Sequence, residues 1–156
     1  ARKNNKSGVC TLSSNGPWVA KNQLFEKNNF IVADSLERFD LMIKTFDSNA
    51  PLPKIIDWTK QQSKYNGWNL VYSDQGPWHE KSVSDLLQSA KAHGITLNIK
   101  KLETAQETQN APSGFATFSL IYDGKLLADH YISKTRFENI LKQIKVKNNF
   151  LHYSGF

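Results

Sequence analysis

The sequence predicts an α/β protein in two units: a β-α-β-β unit, then a mixed sheet with flanking helices. Three observations predict it. Short β-branched and aromatic runs alternate with stretches of helical periodicity. A Gly-Pro-Trp triplet stands twice, at 16–18 and 76–78, each time between a strand-like run and a helical one. Between the halves lies Asp47-Ser-Asn-Ala-Pro-Leu-Pro-Lys, where each proline disfavours helix at the residue before it.

The elements follow in order. Gly8-Val-Cys-Thr-Leu-Ser-Ser is a β-rich run, Asn15-Gly-Pro-Trp a turn, and Val19 to Lys27 a helical stretch. Phe30-Ile-Val-Ala reads as a strand, Asp34–Arg38 as a polar turn, and Phe39 to Phe46 as the antiparallel partner. Ile55 to Lys64 forms a short helix closed by Tyr65-Asn-Gly-Trp. The second unit opens with the strand Trp68-Asn-Leu-Val-Tyr-Ser and passes through Asp74-Gln-Gly-Pro-Trp into a helix running to His93. There Val83, Leu86, Leu87 and Ala90 make an apolar face, and Gly94 is the natural stop. Ile95–Leu102 alternates as a strand, and Thr104–Asn110 is a short polar helix or loop. Phe115–Tyr122 and Leu126–Tyr131 form a hairpin around Asp123-Gly124. Ser133 caps a last helix carrying Phe137, Ile140, Leu141 and Ile144. The expected limits are 1–48 for the first unit, 49–67 for a linker with a short helix, 68–147 for the second domain and 148–156 for a C-terminal tail.

Composition narrows the function. With 156 residues, 39% of them hydrophobic and 22% charged, the chain can bury one ordinary core or two small ones. Its longest apolar runs fall far short of the roughly 20 residues a membrane span needs, so no membrane partner is expected. The net charge of +6 comes from cations that are nearly all lysine, with only Arg2, Arg38 and Arg136 as arginines. Their runs are short (Lys100-Lys101; Lys142, Lys145 and Lys147), so nucleic acid is not expected as a partner. One cysteine, Cys10, and histidines scattered at 79, 93, 130 and 152 make neither a disulfide nor a metal site, and the expected location is cytoplasmic. Ala1 in place of Met, ahead of a polar opening, reads as a domain cut from something longer.

The two Gly-Pro-Trp turns hold the candidate chemistry. Pro17 and Pro77 suit first helical positions, because proline lacks only a hydrogen that would be unpaired there. The turn leaves backbone N–H groups of the helix's first turn facing outward, as an anion or ligand site requires. The simpler reading is two helix starts, each with a packed tryptophan. Cys10, within an apolar strand, reads as a small core residue. His79, in a first helical turn, reads as surface decoration. Asp129 and His130 are neighbours on an expected strand, where adjacent side chains point to opposite faces, so no catalytic pair is expected. The aromatics Trp58, Trp68, Trp78 and Phe118 read as core before they read as a pocket lining.

The second unit's element order resembles a thioredoxin-like fold, whose redox cysteines sit at this first strand-to-helix turn. Phe115-Ala-Thr-Phe-Ser-Leu-Ile-Tyr-Asp-Gly is similar to the thioredoxin stretch in which a cis-proline precedes Thr, with Ala116 in the proline's place. Thiol exchange needs a low-pKa thiolate there, and this turn has no sulfur. Leu70-Val-Tyr-Ser-Asp-Gln-Gly-Pro-Trp-His-Glu-Lys, Lys101-Leu-Glu-Thr-Ala-Gln-Glu-Thr-Gln-Asn-Ala-Pro-Ser and Gly124-Lys-Leu-Leu-Ala-Asp-His-Tyr-Ile-Ser resemble the YoaP-like domain from about Leu70 to Lys142. That domain follows a GNAT-type N-acetyltransferase domain in bacterial proteins. Relatives tend to carry Cys where Gly76 stands.

Leu24-Phe-Glu-Lys-Asn-Asn-Phe is similar to the GNAT motif Leu-Tyr-Glu-Lys-x-Gly-Phe. There the Tyr often protonates the leaving thiolate of coenzyme A; Phe25 has no proton to give. The resemblance thus implies a partial GNAT β-α-β-β unit followed by a thioredoxin-like mixed sheet with flanking helices. It also implies acetyl transfer from acetyl-CoA to an amine in the full-length parent. The coenzyme A site would lie upstream, so this chain alone is expected to hold no cofactor and no catalytic residue. The candidate ligand-binding residues are Asp74, Gln75, Gly76, Trp78 and His79 in the turn, with Ala116 and Thr117 facing it. The expected partner is a small-molecule or protein acceptor. The incomplete first sheet is expected to lean on the second domain or to self-associate. The competing reading is a freestanding, non-catalytic ligand- or protein-binding module.

Overall fold

The computed structural model describes residues 5–16, 19–74 and 78–153, with side chains to Val146. The chain divides into two units, Ala1–Asp57 and Trp58–Phe156. Both mix strands and helices.

The first unit runs β1 (Gly8–Ser14), α1 (Asn22–Glu26), β2 (Ile31–Leu36) and β3 (Phe39–Thr45). Its sheet is antiparallel in the order β1-β3-β2. The last strand in sequence is therefore the central one, and it supplies the buried Phe39, Leu41, Met42 and Ile43. β2 continues beyond the expected turn at Asp34, because an irregularity between Val32 and Asp34 lets Ser35 and Leu36 keep pairing with Asp40 and Phe39. α1 is shorter than the helix expected from Val19. The Ala20 carbonyl accepts from the Ser14 N–H at 3.2 Å and Lys21 is extended at φ −74°, ψ 154°, so the helix cannot begin until Asn22. Pro17 is thus not its first residue; the structure of Pro17 and Trp18 lies outside the described residues.

Cys10 corrects a second expectation: it is exposed. β1 is an edge strand whose burial rises along its length, from exposed Val9 and Cys10 to buried Ser13 and Ser14. The buried end is polar. The Ser13 hydroxyl donates to Asn22 Oδ1 at 2.6 Å, Asn22 Nδ2 donates to Asp40 Oδ2 at 2.6 Å, and the Ser35 hydroxyl donates to Asp40 Oδ1 at 2.6 Å. One carboxylate thereby ties β2, β3 and α1 together, and through Asn22 reaches β1.

The second unit runs α2 (Trp58–Gln62), β4 (Trp68–Tyr72), α3 (His79–Ala92), β5 (Leu97–Lys101), α4 (Ala105–Gln109), β6 (Phe118–Tyr122), β7 (Lys125–Ala128) and α5 (Lys134–Tyr153). Its sheet has the order β5-β4-β6-β7, with β5 parallel to β4 and the other neighbours antiparallel. Residues 58–67, read from sequence as linker, are held inside this unit. Gln62 Nε2 donates to the Pro112 carbonyl at 3.0 Å, and Gly124 N–H to the Tyr65 carbonyl at 2.8 Å. Strand alternation sends Leu70 and Leu120 to one face, with α3 and α5, and Val71 and Ile121 to the other, with Leu102 and Ala111.

α3 ends as its sequence predicts. Gly94 takes φ 68° and the Ile95 N–H returns to the Ala90 carbonyl at 2.9 Å. Val83, Leu86 and Ala90 are buried, but Leu87 falls off that stripe and is 39% exposed. Ser82 and Ser89 instead complete the buried face, donating to the Ile132 carbonyl at 3.1 Å and Glu138 Oε1 at 3.2 Å. The hairpin turn is Asp123–Gly124, both at positive φ (45° and 73°), as a type I′ turn requires. Its strands are shorter than expected: Ala116 at φ 59° interrupts the extended run before Phe118. At the far end α5 continues to Tyr153, where the sequence suggested a tail from residue 148. The Ser133 hydroxyl does cap it, accepting from Arg136 N–H at 3.2 Å.

Candidate functional site

β4 and β5 are parallel, so their C-terminal ends open on the same edge of the sheet, the usual place for ligands in such sheets. Ser73 and Asp74 leave β4 there, and Lys101 to Thr104 leave β5. Two backbone bonds fix the edge: Leu102 N–H to the Tyr72 carbonyl at 2.7 Å, and Ser73 N–H to the Thr117 carbonyl at 3.0 Å. The second brings Ser73, at the end of β4, beside the Ala116-Thr117 segment. Ala116 is left-handed at φ 59°, with its N–H on the Ser113 carbonyl at 3.1 Å. A non-glycine residue in that region costs roughly 1–2 kcal/mol, a strain the surrounding chain must hold.

Beyond this edge lies an open polar groove of about 740 Å³, lined by Ser73, Asp74, the segment from Lys101 to Ala105, Thr108 and Gln109. Asp74 and Lys101 form an ion pair across it, both side chains about half exposed. The hydrogen bond and charge of Asp74 raise the Lys101 pKa. The far wall is α4, started by a capping box in which the Thr104 hydroxyl accepts from Glu107 N–H at 3.2 Å. The Glu103 and Thr104 backbone N–H groups donate to the Glu107 carboxylate and hold its pKa below the usual range.

Among the described residues, two polar atoms at this edge have no hydrogen-bond partner. Ser73 is 4% exposed with its hydroxyl unsatisfied, and His79 Nδ1 is buried and unsatisfied at the start of α3. Buried polar groups are nearly always paired, so each of these atoms is a position that water or a ligand could fill. His79 is therefore not surface decoration; it is half-buried. Trp78, expected to pack, is 66% exposed. The structure of Gln75, Gly76 and Pro77 lies outside the described residues. Trp58 and Phe118 are core, and Trp68 stacks edge-on to Phe137 at 5.8 Å.

The sequence missed Ser73 and Lys101. Lys101 pairs in register with Tyr72, so knowing the parallel pairing would have brought it to the turn. Asp129 and His130 meet, contrary to the expectation from strand alternation. β7 ends at Ala128, and His130 Nδ1 lies 2.8 Å from Asp129 Oδ1; past a strand the alternation rule no longer separates neighbours. Among the described residues no group of three or more ligand-type side chains could hold a metal, and no helix is long and apolar enough to cross a membrane.

The fold and this edge define an α/β protein with a polar groove beyond its parallel strands. The YoaP-like family model matches residues 96–139, from β5 into the first turns of α5, a shorter stretch than the resemblance from Leu70 to Lys142. Over 130 residues, 82% of this chain, the sequence is 25% identical to the "Uncharacterized N-acetyltransferase YoaP" of Bacillus subtilis (strain 168). The chain spans about half (52%) of that curated relative's length. No solved structure is significantly similar to this chain.

Proposed function

We propose that these residues form the C-terminal portion of a GNAT-family acetyltransferase, followed by a redox-inactive, thioredoxin-like unit that recognises the acceptor or a partner. The similarity to an N-acetyltransferase across 82% of the chain carries this reading. The strand-helix-strand-strand order of the first unit supports it. So does Asn29, which stands where the GNAT-like motif has Gly and takes φ 61°, a conformation Gly, and after it Asn, tolerates best. For the second unit, the support is its element order and the sheet order β5-β4-β6-β7 around one parallel pair. Its proposed inactivity in thiol exchange is supported by the single cysteine of these residues, Cys10, lying in the other unit.

In the parent the acceptor's amine nitrogen attacks the thioester carbonyl of acetyl-CoA. The C–N bond forms, the C–S bond breaks, the amine loses a proton and the coenzyme A thiolate gains one. Phe25 cannot supply that proton, so another group does. The acceptor or partner meets the second unit at the turn from Asp74 to His79 and at Ala116-Thr117. There the Ser73 hydroxyl and His79 Nδ1 are the unsatisfied atoms.

The test is thiol release from acetyl-CoA with a panel of amines, run on the full reading frame and on the 156-residue chain. Amine-dependent release by the full frame alone is expected. Release by the 156-residue chain overturns the placement of the coenzyme A site. No release by the full frame with any amine favours a freestanding, non-catalytic module, a reading that the orphaned Ser73 hydroxyl supports independently of any transfer.

A further inference from the structure

We infer that the groove between β7 and α5 binds a medium-chain carboxylate, with its head at the Arg136 end and its chain along Ile140 and Ile144. The groove encloses about 690 Å³, within the usual range for small-molecule sites. Its floor is apolar, with Leu127, Ile140, Ile144 and Val146, and its polar side carries Lys125, Arg136, Lys142 and Gln143; none of the described lining residues is acidic. An apolar floor bordered by three cations complements an alkyl chain ending in an anion.

The geometry orders head and tail. Arg136 lies in the first turn of α5, where the helix dipole also favours negative charge, and its guanidinium suits a carboxylate. Ile140 and Ile144 follow at four-residue steps on the same helix face. Val146, 53% exposed, marks the apolar end, about 15 Å along the helix from Arg136. On the sheet side Tyr122 pairs with Lys125 across the hairpin, and the side chains of both line the groove together with Leu127. The ligand therefore meets side chains rather than the free backbone edge of β7, which favours an alkyl chain over an added peptide strand. None of this depends on acetyl transfer or on the groove at Ser73.

The experiment is an NMR titration of the chain with decanoate below its micelle concentration, with decanol as the uncharged control. Arg136→Glu and Lys142→Glu serve as exposed charge reversals whose folding is checked by circular dichroism. Shifts confined to β7 and α5 are expected, with decanoate bound about tenfold or more tightly than decanol and weakened about tenfold by Arg136→Glu and less by Lys142→Glu, which stands further along the chain. Equal binding of decanol, unchanged binding by both variants, or shifts centred elsewhere overturns the proposal. So does preferential binding to anionic vesicles over monomeric decanoate, which would make the patch a membrane-contact surface.

Discussion

The two units bury themselves by different means. In the second, a mixed sheet has a core on each face, and α3 and α5 cover one of them around Phe118 and Phe137, both fully buried. In the first, burial is concentrated in one strand. β3 is buried, whereas Val9, Ile31 and Val32 on its neighbours are 38%, 58% and 44% exposed, and α1 buries no residue. A hydrogen-bonded carboxylate, Asp40, joins β2, β3 and α1 there. A three-stranded sheet with one short helix has too little apolar surface to fill two faces, so polar bonding and local turns carry more of its specification.

Substitutions can break this contrast. Phe137→Ala removes the largest side chain between α5 and the sheet and should cost about 3–5 kcal/mol. Urea titration followed by tryptophan fluorescence reads it directly, since Trp58, Trp68 and Trp78 belong to this unit. In the first unit Asp40→Asn should cost about 1 kcal/mol, less than a buried charge would because the side chain is partly solvated. The same residue sets an acid dependence. Hydrogen bonds from Ser35 and Asn22 hold its pKa below the ordinary value, so its contribution is complete above about pH 4 and is lost as pH falls through the depressed value. Wild type should therefore lose first-unit stability on acidification, and Asp40→Asn should flatten that loss in pH-resolved amide exchange.

Smaller effects sharpen the comparison at the candidate site. Ala116→Gly relieves a left-handed alanine but loosens the unfolded chain, for a net gain of about 0.5 kcal/mol by thermal unfolding. Ser73→Ala removes a hydroxyl with no partner and should leave stability within about 0.5 kcal/mol, while weakening any ligand that the edge binds. Cys10, exposed on β1, should react with iodoacetamide in the folded protein; labelling only after unfolding would contradict the burial gradient along that strand.

What the sequence revealed was local, and what it concealed was pairing. Asp123-Gly124, Gly94 and the period of α3 could be read because turn type, helix stop and helix face depend on adjacent residues. The exposure of Cys10 could not, because it depends on β1 being an edge, and that follows from β3 inserting beside it. Nor could Lys101 beside Asp74, which requires the parallel register of β4 and β5. Leu87 misled for a related reason: spacing placed it near the apolar stripe, but the serines opposite α5 find hydrogen-bond partners there. At the candidate site the turn and the Ala116-Thr117 segment were legible as a pair only through resemblance, since 43 positions separate Asp74 from Thr117 in the sequence.

The insertion of β3 between β1 and β2 also sets an order of events in time. β2 and β3 meet across the tight turn at Glu37 and Arg38, whereas β1 must close a long loop to set Gly8 against Thr45. The hairpin can zip early and alone, and β1 docks onto a finished edge. Of this sheet's three strands the earliest in the chain is thus the last recruited, and the amides it turns away from β3, that of Cys10 among them, should be the earliest to surrender their protons to heavy water.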